Sequence, residues 1–534
     1  MKRKITLVGL FGILFIMKIH AQVPTLIHDI APVGDESYIS YLTPAGERLY
    51  FNGNDGESIK LWSTDGTSDV LTALMTVDYF ANDFQALGDQ VFFRSGDPDT
   101  GMELYVTDNT AAGTHLFMEI NNGPDDGTGR LLGVHDGLLF FIGNDGVHGN
   151  ELWTTDGTVS GTNMVKDIHP TDDAVDFNAG QHFWFDGKVY FEANDGIHGW
   201  ETWSSDGTPN GTNLLLDINT SGDIYFHDAF VKDTEMYFTT VTYGTGSFLW
   251  KTDGTTSGTQ FIKQIGATST FGENMILFND QVYFEVGSYL ENQGDIWVTD
   301  GTESGTVLFR ENSSIGGVMN DELYFIGVTD NNYYAVYKTQ GVQGDEEFLI
   351  ETHEATPWNF PSHVFQVWND RLYFLVRFED PSALYVWSYI YSTDGTTAGS
   401  HMHLEETGSG GMLIRTGEGL TPFQNGLYFV GSYSNVGEEL FAFMPLPGNI
   451  SHQIDTNSIE LYPNPASEKI QVISDVGMIG SLQIVDAYGK HIKEIQAFHQ
   501  KNLTVQIDDL VAGIYFIRAQ TTTGQTISRT FVVR

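Results

Sequence analysis

What most limits the folds open to this chain is a repeated unit. Asn144 to Ile168, NDGVHGNELWTTDGTVSGTNMVKDI, returns as NDGIHGWETWSSDGTPNGTNLLLDI from Asn194 to Ile218 and, shortened, as GDIWVTDGTESGTVLF from Gly294 to Phe309. One such unit cannot bury its own apolar face, so copies must stack on one another. Looser copies occupy the chain from Val23 to about Pro447 at intervals of roughly 40 to 55 residues. Each carries an apolar-aromatic triplet centred on Tyr50, Phe92, Phe140, Tyr190, Tyr237, Tyr283, Tyr324, Tyr373 or Tyr428, nine in all. The second marker is Leu-Trp-x-Thr-Asp-Gly-Thr, whose aspartates are Asp65, Asp108, Asp156, Asp206, Asp253, Asp300 and Asp394. Gln340 takes that place in the seventh unit, and the ninth has lost the turn.

Each unit reads as four short strands. β-Branched and aromatic residues fill them, Gly-Asp, Asn-Asp-Gly and Asp-Gly-Thr separate them, and a sustained 3.6-residue apolar period is missing. Apolar residues run consecutively, as in Leu138 to Ile142, which suits sheets covered on both faces. The fold class is therefore all-β, and radial packing of such units makes a β-propeller of eight or nine four-stranded blades. The ninth unit stops near Pro445 without a fourth strand, whereas the chain opens with an orphan one, Thr25 to Ile30. That strand is expected to complete the last blade and remove both free edges.

The two ends differ from the middle. Residues 1–21 have a basic start, an apolar run from Ile5 to Met17 and a small residue before Gln22, the pattern of a cleaved signal peptide. No later stretch is long and apolar enough for a membrane span, so the mature chain is expected to have none. Without cysteine, stability must come from packing and closure. Between the leader and Ile459 there are 14 basic and 63 acidic residues, a balance of −49, whereas the tail carries 7 of each. So acidic a middle argues against nucleic acid as a partner and favours solubility.

Candidate chemistry in the repeats is sparse. The Asn-Asp-Gly loops place Asp145 and Asp195 among oxygen-rich, glycine-containing turns that are candidate calcium sites, although EF-hand spacing is missing. The same residues suit a plain turn. A group repeated in every blade serves every blade, so the seven Asp-Gly-Thr aspartates read as hairpin holders. The irregular seventh and eighth units carry Trp358, Trp368 and Trp387, candidate contacts for a sugar or peptide ligand. No nucleophile elbow, phosphate loop or cysteine nucleophile is present.

Residues 448–458 form a polar linker, and from 459 to 534 short alternating strands suggest a small Ig-like β-sandwich. The repeats, through Asn150-Glu151-Leu152-Trp153-Thr154-Thr155-Asp156-Gly157-Thr158, resemble the ELWxxDGT-repeat proteins of secreted bacterial origin. The tail resembles the C-terminal sorting domain of the type IX secretion system of Bacteroidetes. The blocks that carry this are Tyr462-Pro463-Asn464-Pro465, Val485 to Lys490 with Gly489, Leu510 to Arg518 with Gly513 and Tyr515, and the terminal Phe531-Val532-Val533-Arg534. The resemblance implies export through the periplasm, engagement of the type IX machinery by the tail, and release or display at the cell surface. The function expected is a secreted or surface-bound β-propeller that binds a polysaccharide or protein ligand. Two other readings stand: a glycan-active enzyme with acidic residues on a propeller face, and a structural surface-layer protein.

Overall fold

The computed structural model describes residues 24–444, apart from loops of which 32–36, 355–360, 380–385, 403–412 and 416–418 are the longest, and the strands between 459 and 533. Contacts divide the chain into two units, Met1–Met444 and Pro445–Arg534.

The first unit is a nine-bladed β-propeller. Seven four-stranded antiparallel sheets follow one another in sequence order: blades 1 to 7 span 40–76, 79–118, 128–164, 183–216, 225–266, 270–310 and 313–354. Blade 8 starts at Pro361–Trp368 and blade 9 at Thr421–Phe423. Thr25–His28 pairs antiparallel with Val436–Phe443, with Leu26 opposite Phe441, so the first strand of the chain closes the last blade. Leu413–Arg415 pairs with both Val386–Thr393 and Gly426–Tyr433 and fuses blades 8 and 9 into one sheet. First strands of adjacent blades lie against each other, for example in blades 1 and 2, 2 and 3, 5 and 6, and 7 and 8, which places them innermost.

The two sequence markers meet across the joints between blades. The middle ring of the triplet in one blade packs on the glycine at the Asp-Gly-Thr position of the next. Tyr237 stands over Gly301, Tyr283 over Gly341 and Tyr324 over Gly395, and at the closing joint the Tyr428 hydroxyl donates to the Gly66 carbonyl at 2.7 Å. In blade 2, Asn109 replaces the glycine and accepts a hydrogen bond from the Tyr50 hydroxyl. Blade 9 lacks the turn, and Tyr373 packs on Phe443 instead, at 5.4 Å between ring centroids.

Core packing follows the same plan. Among the described residues the buried clusters fall one to each joint: Phe140, Ile142, Val189 and Phe191 between blades 3 and 4, and Ile27, Phe51, Tyr428 and Leu440 across the closure. This accounts for the consecutive apolar residues. Leu139, Phe140, Phe141 and Ile142 are all buried because one face meets the preceding blade and the other the next.

The second unit holds two antiparallel sheets. One contains Ile459–Tyr462, Lys469–Ser474 and Asn502–Gln506, and the other His491–Gln500, Ile479–Asp486, Gly513–Thr521 and Thr526–Val533. Ile470, Val472, Leu482, Ile484, Val505 and Ile517 are buried, in the alternation expected of strands covered on one face.

Candidate functional site

The repeated acids carry out local structural chemistry. Asp156 Oδ1 accepts from the Thr158 amide at 2.9 Å and the Thr158 hydroxyl at 2.7 Å. Thr158 Oγ1 accepts in turn from the Gly161 amide at 3.0 Å, and Thr155 and Thr162 join their hydroxyls at 2.7 Å. Asp65, Asp108, Asp206, Asp253, Asp300 and Asp394 make the same pair of bonds to the threonine two residues on. These bonds hold the carboxyls of Asp108, Asp156, Asp206, Asp253 and Asp300 below the usual range. Except at Asp65, where Val70 stands in its place, the aspartate folds over the glycine five residues on, where a Cβ would strike it. The working unit is thus Thr-Asp-Gly-Thr-x-x-Gly-Thr.

A second repeated acid has no role in the sequence reading. The glutamate that precedes Leu-Trp is buried in blades 2, 3, 4 and 9 as Glu103, Glu151, Glu201 and Glu439, each with no exposed surface. Glu103 accepts from the amides of Ile120 at 2.8 Å and Asn121 at 3.0 Å, and Glu151 from Ile168 and His169, both at 3.0 Å. Glu201 accepts from Ile218 and Asn219, both at 3.1 Å, and Glu439 reaches across the closure to Ile30 at 2.9 Å and Ala31 at 3.4 Å. In blade 6 the shorter Asp295 accepts from the Asn312 amide at 3.0 Å. Each carboxyl fastens the chain as it leaves the outer strand for the next blade. Burial outweighs the N–H bonds and pushes all four glutamates up to about 7. The partners of Glu103, Glu151 and Glu201 lie 17 and 18 residues away and those of Glu439 at the other end of the propeller, so no local pattern signals them.

The Asn-Asp-Gly loops are hydrogen-bonded turns. Asp145 Oδ1 accepts from the amides of Val147 and His148, each at 2.9 Å, and Oδ2 meets His148 Nδ1 at 2.8 Å. Asp195 repeats this with Ile197 and His198, its imidazole contact 2.7 Å. The aspartate hydrogen bond raises the pKa of each imidazole. Both carboxylates face N–H donors, not the oxygen cage that calcium takes. Among the described residues, no group of three or more His, Asp or Glu could hold a metal ion.

Acids that do not repeat stand on the inner strands. The residue after the triplet is polar in blades 1, 2, 4, 5 and 6, as Asn52, Arg94, Glu192, Thr239 and Glu285. Asn52 exchanges two hydrogen bonds with the Ala81 backbone, at 2.7 and 2.9 Å. Glu285 accepts from the Ile315 amide at 2.7 Å and the Ser314 hydroxyl at 3.0 Å. Glu192 accepts from the Phe226 backbone, and Asp228, one strand inward, from the Met275 amide at 3.2 Å. These side chains latch one blade to the first strand of the next. Burial pushes Glu192 up to about 8, Glu285 to about 7 and Asp228 to about 6.

The three tryptophans are not gathered into one described site. Trp368 is half-buried and packs against the joint between blades 8 and 9, with its ring 5.8 Å from that of Tyr373. Trp387 lies on Val386–Thr393 opposite Arg415, and Trp358 falls outside the described residues. Of the sorting residues, Pro463, Asn464, Pro465, Gly489 and Arg534 also fall outside them. Tyr462 ends its strand, and two blocks distant in sequence become neighbours: Gly513 pairs with Val533, Ile514 with Val532 and Tyr515 with Phe531.

Comparison with known proteins bears first on this tail. Residues 460–534 match the secretion system C-terminal sorting domain. A chain that carries this domain is addressed to the cell surface or beyond it. No curated protein matches the sequence. Similar solved structures include prolyl endopeptidases, at 11% identity and a TM-score of 0.33 over 66% of this chain and 54% of theirs. Oligopeptidase B from Leishmania major shares 9% identity at a TM-score of 0.36, over 67% of this chain and 53% of that one. PorZ, a bacterial surface component of the type IX secretion system of Porphyromonas gingivalis, shares 11% identity at a TM-score of 0.24, over 93% and 86%. The chain thus spans about half the length of the peptidases it resembles. No helix among the described residues is long and apolar enough to cross a membrane.

Proposed function

We propose that this protein is a polysaccharide-binding β-propeller displayed at or released from the cell surface, delivered there by the type IX machinery that reads its tail. The observation that carries the reading is the sorting domain joined to a ring whose recurring acids are committed to holding turns and blade joints. Groups so engaged leave a rigid scaffold for recognition. The propeller fold by itself is compatible with binding and with catalysis.

A second reading, a glycan-active enzyme, draws on Glu192, Asp228 and Glu285, inner acids that stay protonated nearer neutrality than ordinary carboxyls. One experiment separates the two. The purified full chain is incubated with soluble and insoluble polysaccharides, and co-sedimented protein and newly released reducing ends are both measured. Binding without release is expected. Release of sugars would favour the enzyme, and neither result would remove glycans as the ligand.

A further inference from the structure

Seven aromatic side chains are exposed among the described residues, and four of them, Tyr38, Tyr41, Tyr79 and Phe80, stand on or beside the first strands of blades 1 and 2. Those strands are adjacent and innermost. The rings of Tyr41 and Phe80 lie 6.1 Å apart across the joint, tilted by 46°, and remain 46% and 42% exposed. Most aromatic rings of the described residues lie between blades, so an open pair on the innermost strands runs against the pattern that builds the fold.

The ladder there is bulged, as it is on the first strands of blades 3, 5, 6 and 7. Six steps of the blade 2 strand, Tyr79 to Gln85, pass only four on its partner, Gly96 to Phe92, so two extra residues are bulged out. Blade 1 carries one such shift, between Ser40 and Thr43. Bulges re-aim side chains and gather beside binding sites. Tyr38 and Tyr41 sit at φ of 48° and 57°, a region that bulky side chains rarely adopt.

Polar atoms on the strands of these two blades lack partners. Arg94, opposite Asn82 in the ladder, is buried on the blade 3 side, its guanidinium 5.9 Å over the Phe177 ring and 3.3 Å from Asp83, with Nε unpartnered. Asn82 Oδ1 and Ser40 Oγ are likewise buried and unpartnered. Such groups are costly unless another state of the site uses them. Aromatic faces on strands that also carry amide and hydroxyl groups suit a site that takes a ring with an apolar face and a hydroxylated edge. A sugar ring has both. The net charge of −45 repels polyanions, and Asp83 already balances Arg94, so the chemistry selects an uncharged glycan.

We propose that Tyr41 and Phe80, with Ser40 and Asn82 on the same two strands, form a stacking site for a neutral polysaccharide at the centre of the ring, on the joint between blades 1 and 2. The proposal rests on the polysaccharide-binding reading above and adds the place and the ligand class. The end of the blades concerned is the one that carries the loops between second and third strands, since Tyr79 pairs with Gly96 next to Asp97–Gly101. The test uses the full chain and affinity electrophoresis through laminarin, xyloglucan, soluble starch and alginate. The wild type is expected to be retarded by at least one neutral polymer and not by alginate. Tyr41→Ala and Phe80→Ala should each weaken binding at least ten-fold without lowering the melting temperature, and Tyr41→Phe and Phe80→Tyr should retain it. Should an alanine variant fold poorly, Tyr41→Leu and Phe80→Leu keep the bulk, remove the aromatic face and should show the same loss. Neutral-glycan binding left intact by these changes would overturn the site and leave the polysaccharide reading standing. Retardation by alginate alone would overturn the neutral class, and no retardation by any polymer would sink both.

Discussion

At Gly301 a single added methyl group would do harm twice. The residue sits at φ +87°, where an L side chain is strained, and a Cβ there would lie 2.5 Å from the Tyr237 hydroxyl. Gly301→Ala should therefore cost about 2 to 4 kcal/mol of stability, measured by denaturant unfolding. Gly88, also at positive φ but with nothing within 4 Å, should cost no more than the backbone term. The buried glutamates make a different prediction. Glu103, Glu151, Glu201 and Glu439 have folded-state pKa values of about 7, above the ordinary 4.5. A raised folded pKa means that the folded state holds the proton more tightly than the unfolded chain. The stabilisation is thus complete below about pH 4.5 and is lost as pH rises through about 7. The melting temperature should fall between pH 5 and 8, and a rise across that window would show that the paired N–H bonds outweigh burial. These glutamates could not be singled out from the sequence. Glu151 looks like any strand residue until the chain returns 17 residues later with two free amides.

At the scale of the element, ring closure is a matter of one short strand. Thr25–His28 adds ladder bonds to Val436–Phe443, places Ile27 in the closing core and brings Ile30 and Ala31 to Glu439. Removing residues 25–31 would expose the edge of Val436–Phe443 and leave a buried acid without its donors. The shortened chain should melt at lower temperature and associate in a concentration-dependent way, which calorimetry and sedimentation would detect. An unchanged monomeric melt would mean that the other eight joints hold the ring alone. The strand was legible in the sequence as a fourth strand lacking its first three, and its destination followed from the ninth blade lacking a fourth. The bridge Leu413–Arg415 was not legible. It serves two blades at once, and no repeat unit contains such a role.

For the whole molecule, the sorting domain and the propeller divide the work between address and scaffold. Deleting residues 459–534 should leave the propeller in the periplasm, read by surface labelling and fractionation; normal surface delivery of the shortened chain would remove the tail from the export step.

The sequence by itself determined the all-β class, the nine repeats and the closing strand, because periodicity, turn chemistry and β-propensity are local and each copy restates them. It also marked the tail, whose blocks keep their order along the chain. Only the tertiary structure decided why two markers recur together. The triplet tyrosine and the turn glycine are partners in neighbouring blades, roughly a whole repeat apart, and contacts at that distance leave no local trace. For the same reason the sequence points to the tryptophans of the seventh and eighth units as candidate contacts and carries no sign that the rings of Tyr41 and Phe80 stay open. Composition shows how many aromatic rings a chain has. Packing settles which of them it leaves uncovered.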